Sequence, residues 1–127
     1  MTAKILRFRR PLQSADASQR PHLPDLSDEA LLAACGTGDS AALGVLFERF
    51  HLIVYRTLAR YVGSSCSELD DLLQATFLEI LRAAPKFQRR SSVRTFLLGI
   101  ALNVARHHRR AESRRLHAYQ GAAAEPP

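Results

Sequence analysis

The sequence predicts an all-α protein, a compact bundle of about four helices, and three observations support this fold class. In four separate stretches apolar residues recur at spacings of three and four, the period of a helix buried on one face. Capping residues precede these stretches, and Gly or Pro follows three of them. No stretch shows the alternation of a β-strand, and 127 residues suffice for one domain.

The chain begins with residues 1–24, which hold Pro, Ser and scattered charge without a sustained period. This composition predicts a disordered basic arm. The first helix then begins after Asp25 or Ser27, either of which can cap it, and acidic residues fill its first turn. It ends at the Gly-Thr-Gly sequence of residues 36–38.

The second helix is capped by Asp39 or Ser40 and ends near Gly63. Its apolar stripe consists of Leu43, Leu46, Phe47, Phe50, Ile53, Val54 and Leu58. The third helix begins at residues 67–70, where Ser and Asp are spaced as in a weak capping box, and Pro85 lies just past its end. Its stripe consists of Leu69, Leu72, Leu73, Phe77, Ile80 and Leu81.

The fourth helix is capped by Ser91 or Ser92 and is expected to run to about Arg115. Its stripe consists of Val93, Phe96, Leu97, Ile100 and Val104. Residues 25–115 are therefore predicted to form the helical domain, and residues 116–127 a tail or the start of an interdomain linker.

Charge is unevenly distributed along the chain, whose net charge is +6. Residues 1–24 carry five basic residues and one acid, and residues 25–85 carry four basic residues and nine acids. Residues 86–127 carry nine basic residues and two acids. An acidic middle beside a basic C-terminal third indicates two partners whose binding surfaces carry opposite charge.

The sequence gives no support for metal, cofactor or catalytic chemistry. The glycines of residues 36–38 lie in a turn between helices, not in a phosphate-binding loop. His107 and His108 point about 100° apart on a helix, so this pair cannot easily chelate one ion. Cys35 and Cys66 lie far apart without the spacing of metal ligands, which suits reduced thiols in a cytoplasmic protein.

No targeting or membrane segment is expected either. The basic N-terminus has no apolar run behind it, and no window approaches the roughly 18 apolar residues of a membrane span. The adjacent carboxylates of Asp70 and Asp71 are explained by the dipole of a helix N-terminus without acid–base catalysis. We therefore expect a protein that is not an enzyme.

Four segments together resemble one family. They are residues 31–50 (LLAACGTGDSAALGVLFERF), 54–60 (VYRTLAR), 70–81 (DDLLQATFLEIL) and 87–103 (FQRRSSVRTFLLGIALN). Their order and register are similar to the second conserved region of bacterial sigma factors of the extracytoplasmic-function group. Phe96 stands where that family usually has Trp, and Ala75 where it usually has an acid.

The resemblance implies a partner surface on the third helix. In the family this helix docks on a coiled coil of the clamp of core RNA polymerase. The residues expected on its solvent face are Asp70, Asp71, Gln74 and Leu78. Acids and an amide beside an apolar group suit a partner surface with basic residues.

The resemblance also implies that the loop before the fourth helix holds a base flipped out of the single-stranded non-template strand at the minus-ten promoter element. Such capture needs hydroxyl or amide groups for the base and cations for the phosphates. Ser91, Ser92 and Asn103 offer the first kind of group. The second kind is offered by Arg89, Arg90, Arg94, Arg106, Arg109 and Arg110.

Two other function classes remain open at this point. A helical adaptor would bind polymerase or an anti-sigma factor without recognising DNA, and a single-strand binding assay separates it from a promoter-melting domain. A generic basic DNA-binding bundle would fail to bind the clamp. Single serines at helix starts are also explained by capping, and Phe87 by a place in the core.

Overall fold

The computed structural model describes residues 22–124, and in this part of the chain it confirms the all-α fold. The four helices are α1 (Asp28–Gly36), α2 (Ser40–Val62), α3 (Leu69–Ala83) and α4 (Val93–Ala124). Two short 3-10 turns, Leu23–Asp25 and Ala84–Lys86, precede α1 and follow α3. None of the helices described is long and apolar enough to cross a membrane.

The structure decides between the alternative caps. Ser27 caps α1, where its side chain accepts a hydrogen bond from the Ala30 amide at 3.0 Å. Asp39 caps α2 and accepts from the amides of the second and third residues that follow it. Ser92 caps α4 by accepting from the Thr95 amide at 3.1 Å. Gly63 follows Val62, the last residue of α2, and caps the C-terminus of the helix with a φ of +102°, which favours glycine.

The capping box predicted at the start of α3 is wrong. The helix begins at Leu69, its N-cap residue is Glu68, and no side chain makes a capping hydrogen bond there. The Glu68 carboxylate instead lies 3.3 Å from Nδ1 of His108 on α4. Asp70 and Asp71 lie in the first turn, where their charge still complements the helix dipole.

At both predicted ends of the domain the observed helical structure extends beyond the predicted bounds. Residues 1–21 of the predicted disordered arm lie outside the described residues, but Leu23–Asp25 form a 3-10 turn, and Leu23 and Leu26 pack against the core. At the other end α4 continues past Arg115 to Ala124. Alanine has the highest helix propensity, and no proline lies between Arg115 and position 126, so nothing local ends the helix at residue 115.

The core forms around α2, which packs against the other three helices. Fully buried residues from each helix meet there, namely Leu31, Leu32, Leu43, Leu46, Val54, Leu58, Phe77, Ile80 and Leu97. On α4 the buried positions end at Ala105, and residues 112–121 are all exposed. The first half of α4 is therefore part of the bundle, whereas the second half is covered by no other described helix.

Candidate nucleic-acid interface and partner surface

One face of α4 points away from the core and is lined by polar and cationic side chains. Gly99, Asn103, Arg106 and Arg110 are all exposed. Their spacing of four, three and four residues places them on one side of the helix. The predicted DNA-binding residues Asn103, Arg106 and Arg110 thus share a single solvent-facing stripe, about 10 Å long at 1.5 Å per residue.

The loop before α4 presents its polar residues to solvent. Phe87 is half-buried and contacts Phe96, with 4.9 Å between the ring centroids, so it packs against the core as the sequence predicted. Arg89 has a φ of +60°, a conformation uncommon for residues other than glycine. Arg89, Arg90 and Ser91 are all exposed, and the chain turns sharply there before it enters α4.

Two hydroxyl groups meet at the start of α4. The Ser92 hydroxyl donates to Thr95 Oγ1 at 3.1 Å while it accepts from the Thr95 amide. Thr95 is exposed and lies eight residues before Asn103, about 80° around the helix and about 12 Å along it. The sequence prediction omitted Thr95, although it lies within the matching segment of residues 87–103.

The remaining predicted cations lie in different surroundings. Arg94 is exposed in the first turn of α4, where a positive charge opposes the helix dipole, so helix stability does not explain its presence. Arg109 is also exposed, but it is engaged with α2. Its Nη1 donates to the Tyr61 carbonyl at 3.3 Å, and its guanidinium lies 5.4 Å from the centre of the Tyr61 ring.

On α3 the structure corrects one predicted partner-surface residue. Asp70 and Asp71 are exposed and Leu78 is partly exposed, but Gln74 is only 6% exposed. Gln74 lies three residues before the fully buried Phe77, about 60° away from it around the helix, and so belongs to the buried side. The solvent-facing stripe of α3 is instead lined by Asp71, Ala75, Leu78, Glu79 and Arg82.

The family described as Sigma-70 region 2 matches residues 46–115. This chain belongs to the sigma-70 region 2 family. The resemblance found in the four sequence segments is thereby confirmed, and the domain's relatives include factors of the extracytoplasmic-function group.

Two of these relatives illustrate the extent of the match. The region 2 domain is 33% identical over 90 residues to the ECF RNA polymerase sigma-E factor of Haemophilus influenzae, covering 71% of this chain and 47% of that protein. It is 35% identical over 101 residues to the ECF RNA polymerase sigma factor SigC of Mycobacterium tuberculosis, covering 78% of this chain and 55% of that protein. The match therefore spans about half the length of these relatives.

A solved structure matches as well. It is the NMR structure of an engineered region 2 of sigmaE in complex with GTAAAA. It has a TM-score of 0.64 and 31% sequence identity to this chain, and the match covers 72% of this chain and 94% of the other. The bundle described above is therefore the fold of a region 2 domain.

The region 2 domain also contains a side-chain cluster that sequence spacing missed. Glu68, His108 and Glu112 each offer a ligand atom, and these atoms lie within 4.8 Å of one another. Cys66 Sγ lies 3.9 Å from Nε2 of His108. The sequence prediction considered the adjacent pair His107 and His108 and the spacing of the two cysteines, whereas this cluster joins residues 40 to 46 positions apart on two segments.

Proposed function

We propose that this region 2 domain docks on the clamp of core RNA polymerase through α3 and captures unpaired non-template bases of the minus-ten element through α4 and the loop of residues 87–92. It would thereby direct transcription initiation. The observation that carries the proposal is the exposed stripe of Asn103, Arg106 and Arg110, in a domain 31% identical to one determined in complex with GTAAAA.

The chemistry of the α4 stripe suits a separated strand better than a duplex. Capturing an unpaired base requires groups that can hydrogen-bond to the edge of that base. Thr95 and Asn103 provide such groups on the solvent-facing side of α4. Arg106 and Arg110 extend beyond these groups and can contact successive phosphates. Unstacking a base costs a few kcal/mol, which contacts with the captured base offset in part. No bond has to be made or broken, so this role needs no catalytic residue.

The α3 stripe supports a separate protein contact. Asp71, Ala75 and Leu78 combine a carboxylate with apolar surface, which suits a partner helix carrying basic and apolar residues. Arg82 at the C-terminal end of the stripe lies 3.9 Å from Glu79, so part of its charge is compensated within α3. Docking here would leave the α4 stripe open to DNA, because the two stripes lie on different helices. The role would place the domain in the cytoplasm with polymerase and DNA.

The DNA part of the proposal can be tested with labelled oligonucleotides. We expect the full chain to bind a single strand containing GTAAAA more tightly than a scrambled strand or the matching duplex. If about four phosphates are contacted, the slope of log affinity against log salt concentration should be about −3. Affinity independent of salt, or equal affinity for single strand and duplex, would contradict the proposal.

The polymerase part needs a second assay. Pull-down against core polymerase, followed by promoter opening with a supplied upstream-element domain, should show association and strand separation. Association without single-strand affinity would instead support the helical adaptor. Single-strand affinity without association would support a generic DNA-binding bundle.

A further inference from the structure

The cluster that joins the start of α3 to the middle of α4 lies outside both proposed surfaces. We propose that Cys66, His108 and Glu112 form a binding site for a divalent cation of the Zn²⁺ type, with Glu68 orienting the imidazole of His108. This inference is independent of the proposed function, because it rests on the geometry of the four side chains alone.

The two ring nitrogens of His108 face different groups. Nδ1 lies 3.3 Å from Oε1 of Glu68. Nε2 lies 3.9 Å from Cys66 Sγ and 3.9 Å from Oε2 of Glu112. A histidine that binds a metal through one nitrogen usually donates its other N–H to a carboxylate, which fixes the ring orientation. Glu68 is positioned for that role, and Nε2 then faces the thiol and the second carboxylate.

The Nε2 side of the ring faces a thiol and a carboxylate oxygen, and without a cation the thiol S–H can donate to Nε2. When Nδ1 carries the proton and donates to Glu68, Nε2 presents a lone pair toward a sulfur and a carboxylate oxygen. A cation placed among these three atoms would replace the thiol proton, which is released to solvent, and would bind the resulting thiolate together with the imidazole and the carboxylate. A proton is the competing occupant, either on the sulfur as a donor to Nε2 or on Nε2 as a donor to Glu112, and a cobalt titration distinguishes the proton from the cation.

The two separations measured from Nε2 of His108 allow closure with little movement. Bonds of about 2.0–2.1 Å to nitrogen or oxygen and about 2.3 Å to sulfur in a tetrahedral zinc site separate neighbouring ligand atoms by about 3.3–3.6 Å. The observed 3.9 Å separations exceed this by only a few tenths of an ångström. The His108 side chain is 11% exposed and held in place, whereas Glu112 is 53% exposed and can adjust.

The donor set determines which cation fits. Thiolate, imidazole and carboxylate together suit Zn²⁺, and Co²⁺ as its spectroscopic substitute, whereas Mg²⁺ and Ca²⁺ prefer oxygen ligands. Arg115 donates to Oε2 of Glu112 at 2.7 Å and partly compensates its charge. A carboxylate has about four lone-pair positions, so Arg115 can keep one while the cation takes another. Three protein ligands leave a fourth position for water.

A bound cation would connect two parts of the domain. Cys66 and Glu68 precede α3, whereas His108 and Glu112 lie on α4, on either side of Arg110. The site would tie the start of α3 to the part of α4 where burial ends. We therefore expect metal binding to reduce amide exchange in residues 66–72 and 105–113.

Cobalt titration of the chelator-treated 127-residue chain tests the proposal. We expect one Co²⁺ per chain, visible bands of tetrahedral cobalt and a near-ultraviolet thiolate-to-cobalt band. Zn²⁺ should displace the cobalt and remove these bands.

Substitutions of the proposed ligands test each contact. Cys66→Ser should remove the thiolate band, and His108→Gln and Glu112→Gln should strongly weaken binding. Glu68→Gln should weaken affinity about 10–100-fold while the bands remain, as expected for an orienting partner. His107→Gln, at the exposed neighbouring position, is the matched control and should bind normally.

Two results of the cobalt titration would overturn the proposal: a spectrum without a thiolate band, or equal losses of affinity in His107→Gln and His108→Gln. Either result would indicate that a proton, and not a metal ion, lies between His108, Cys66 and Glu112. Because a variant can fail to fold, circular dichroism without metal is measured for each. X-ray absorption of the zinc-loaded unsubstituted chain gives a further check, since it must show one sulfur neighbour at about 2.3 Å beside nitrogen and oxygen neighbours. A shell without sulfur would also refute the site.

Discussion

Arginines close together on α4 have different surroundings, because each residue turns the helix by about 100°. Arg106 and Arg110 point to solvent, and no hydrogen bond or ion pair holds either of them within residues 22–124. Arg109 lies between them in the sequence but is held by the carbonyl and ring of Tyr61. Net charge alone does not distinguish these side chains, although of the three only Arg109 contacts α2.

Arg106→Ala and Arg110→Ala should therefore weaken single-strand binding to all sequences alike. Each lost phosphate contact is expected to make the salt slope less steep by about 0.7. Arg109→Ala is the matched control, and it should lower the free energy of unfolding while changing the slope less. Fluorescence anisotropy at several salt concentrations, with urea unfolding, measures both effects. An Arg109→Ala slope change as large as that of Arg110→Ala would contradict this assignment.

Asn103→Ala should change base preference instead of general affinity. The amide can donate and accept at a base edge, and a well-placed contact of this kind contributes on the order of 1 kcal/mol or more to discrimination. The ratio of affinities for a GTAAAA strand and a scrambled strand should therefore fall. If the variant loses affinity equally for both strands, Asn103 does not recognise a base.

The two cysteines should differ in reactivity. Burial, with a contribution from Asp39, raises the pKa of the Cys35 thiol from 9.0 to about 12. Cys66 is only partly buried. Iodoacetamide at pH 8 without metal should modify Cys66 well before Cys35, and both in denaturant, because only the thiolate reacts. Mass spectrometry of labelled peptides measures the order, and faster labelling of Cys35 would contradict it.

The same raised pKa predicts a pH dependence of stability. Between pH 9 and 12 the unfolded chain loses the Cys35 proton while the folded chain retains it. The unfolded state then binds fewer protons, so the stability that this thiol contributes below pH 9 is lost as the pH rises. Between pH 9 and 12 the Cys35→Ala variant should lose less unfolding free energy than the unsubstituted chain. An equal loss in both proteins would contradict the prediction.

At the scale of elements, one side chain holds the N-terminal segment to α2. Arg49 donates to Oδ1 of Asp28 at 2.7 Å and to the carbonyls of Pro24 and Leu26 at 2.8 and 2.7 Å. The planar guanidinium can make these three contacts at once, which an ammonium group does less well. The turn before α1 is ordered by this tertiary contact, whereas its composition alone indicated disorder.

Arg49→Ala should therefore lower the free energy of unfolding by about 1–2 kcal/mol. A buried ion pair would give a larger loss, but the side chains of Arg49 and Asp28 are both partly exposed. Arg56→Ala, at an exposed position of the same helix, should change it by less than about 0.5 kcal/mol. Urea unfolding with amide exchange of residues 23–31 measures both stability and local order. Equal effects of the two substitutions would refute the role of Arg49.

At the scale of the whole molecule, two functions are predicted to lie on two helices. Asp71→Lys should weaken association with core polymerase and preserve single-strand affinity, because it reverses a charge on the α3 stripe only. Arg110→Ala should have the opposite pattern. Glu48→Lys, an equal charge change at an exposed position of α2, is the control. Loss of both activities in Asp71→Lys would show that the two surfaces are not separable.

The sequence by itself determined the helices, because their period, caps and breakers are local properties. Ser27 and Asp39 were each one of two candidate caps, Gly63 marked the end of its helix by residue type, and the exposed stripe of Asn103, Arg106 and Arg110 follows from helix periodicity. The family motifs added the expected roles of these residues.

Only the tertiary structure decided which polar groups meet across helices. Gln74 is buried because its helix packs with that side inward, and Arg109 is engaged because the end of α2 passes beside it. Likewise, His108 lies beside Cys66 and Glu68 because α4 crosses the start of α3. Contacts between residues some 40 positions apart depend on how the helices cross, which no local period specifies.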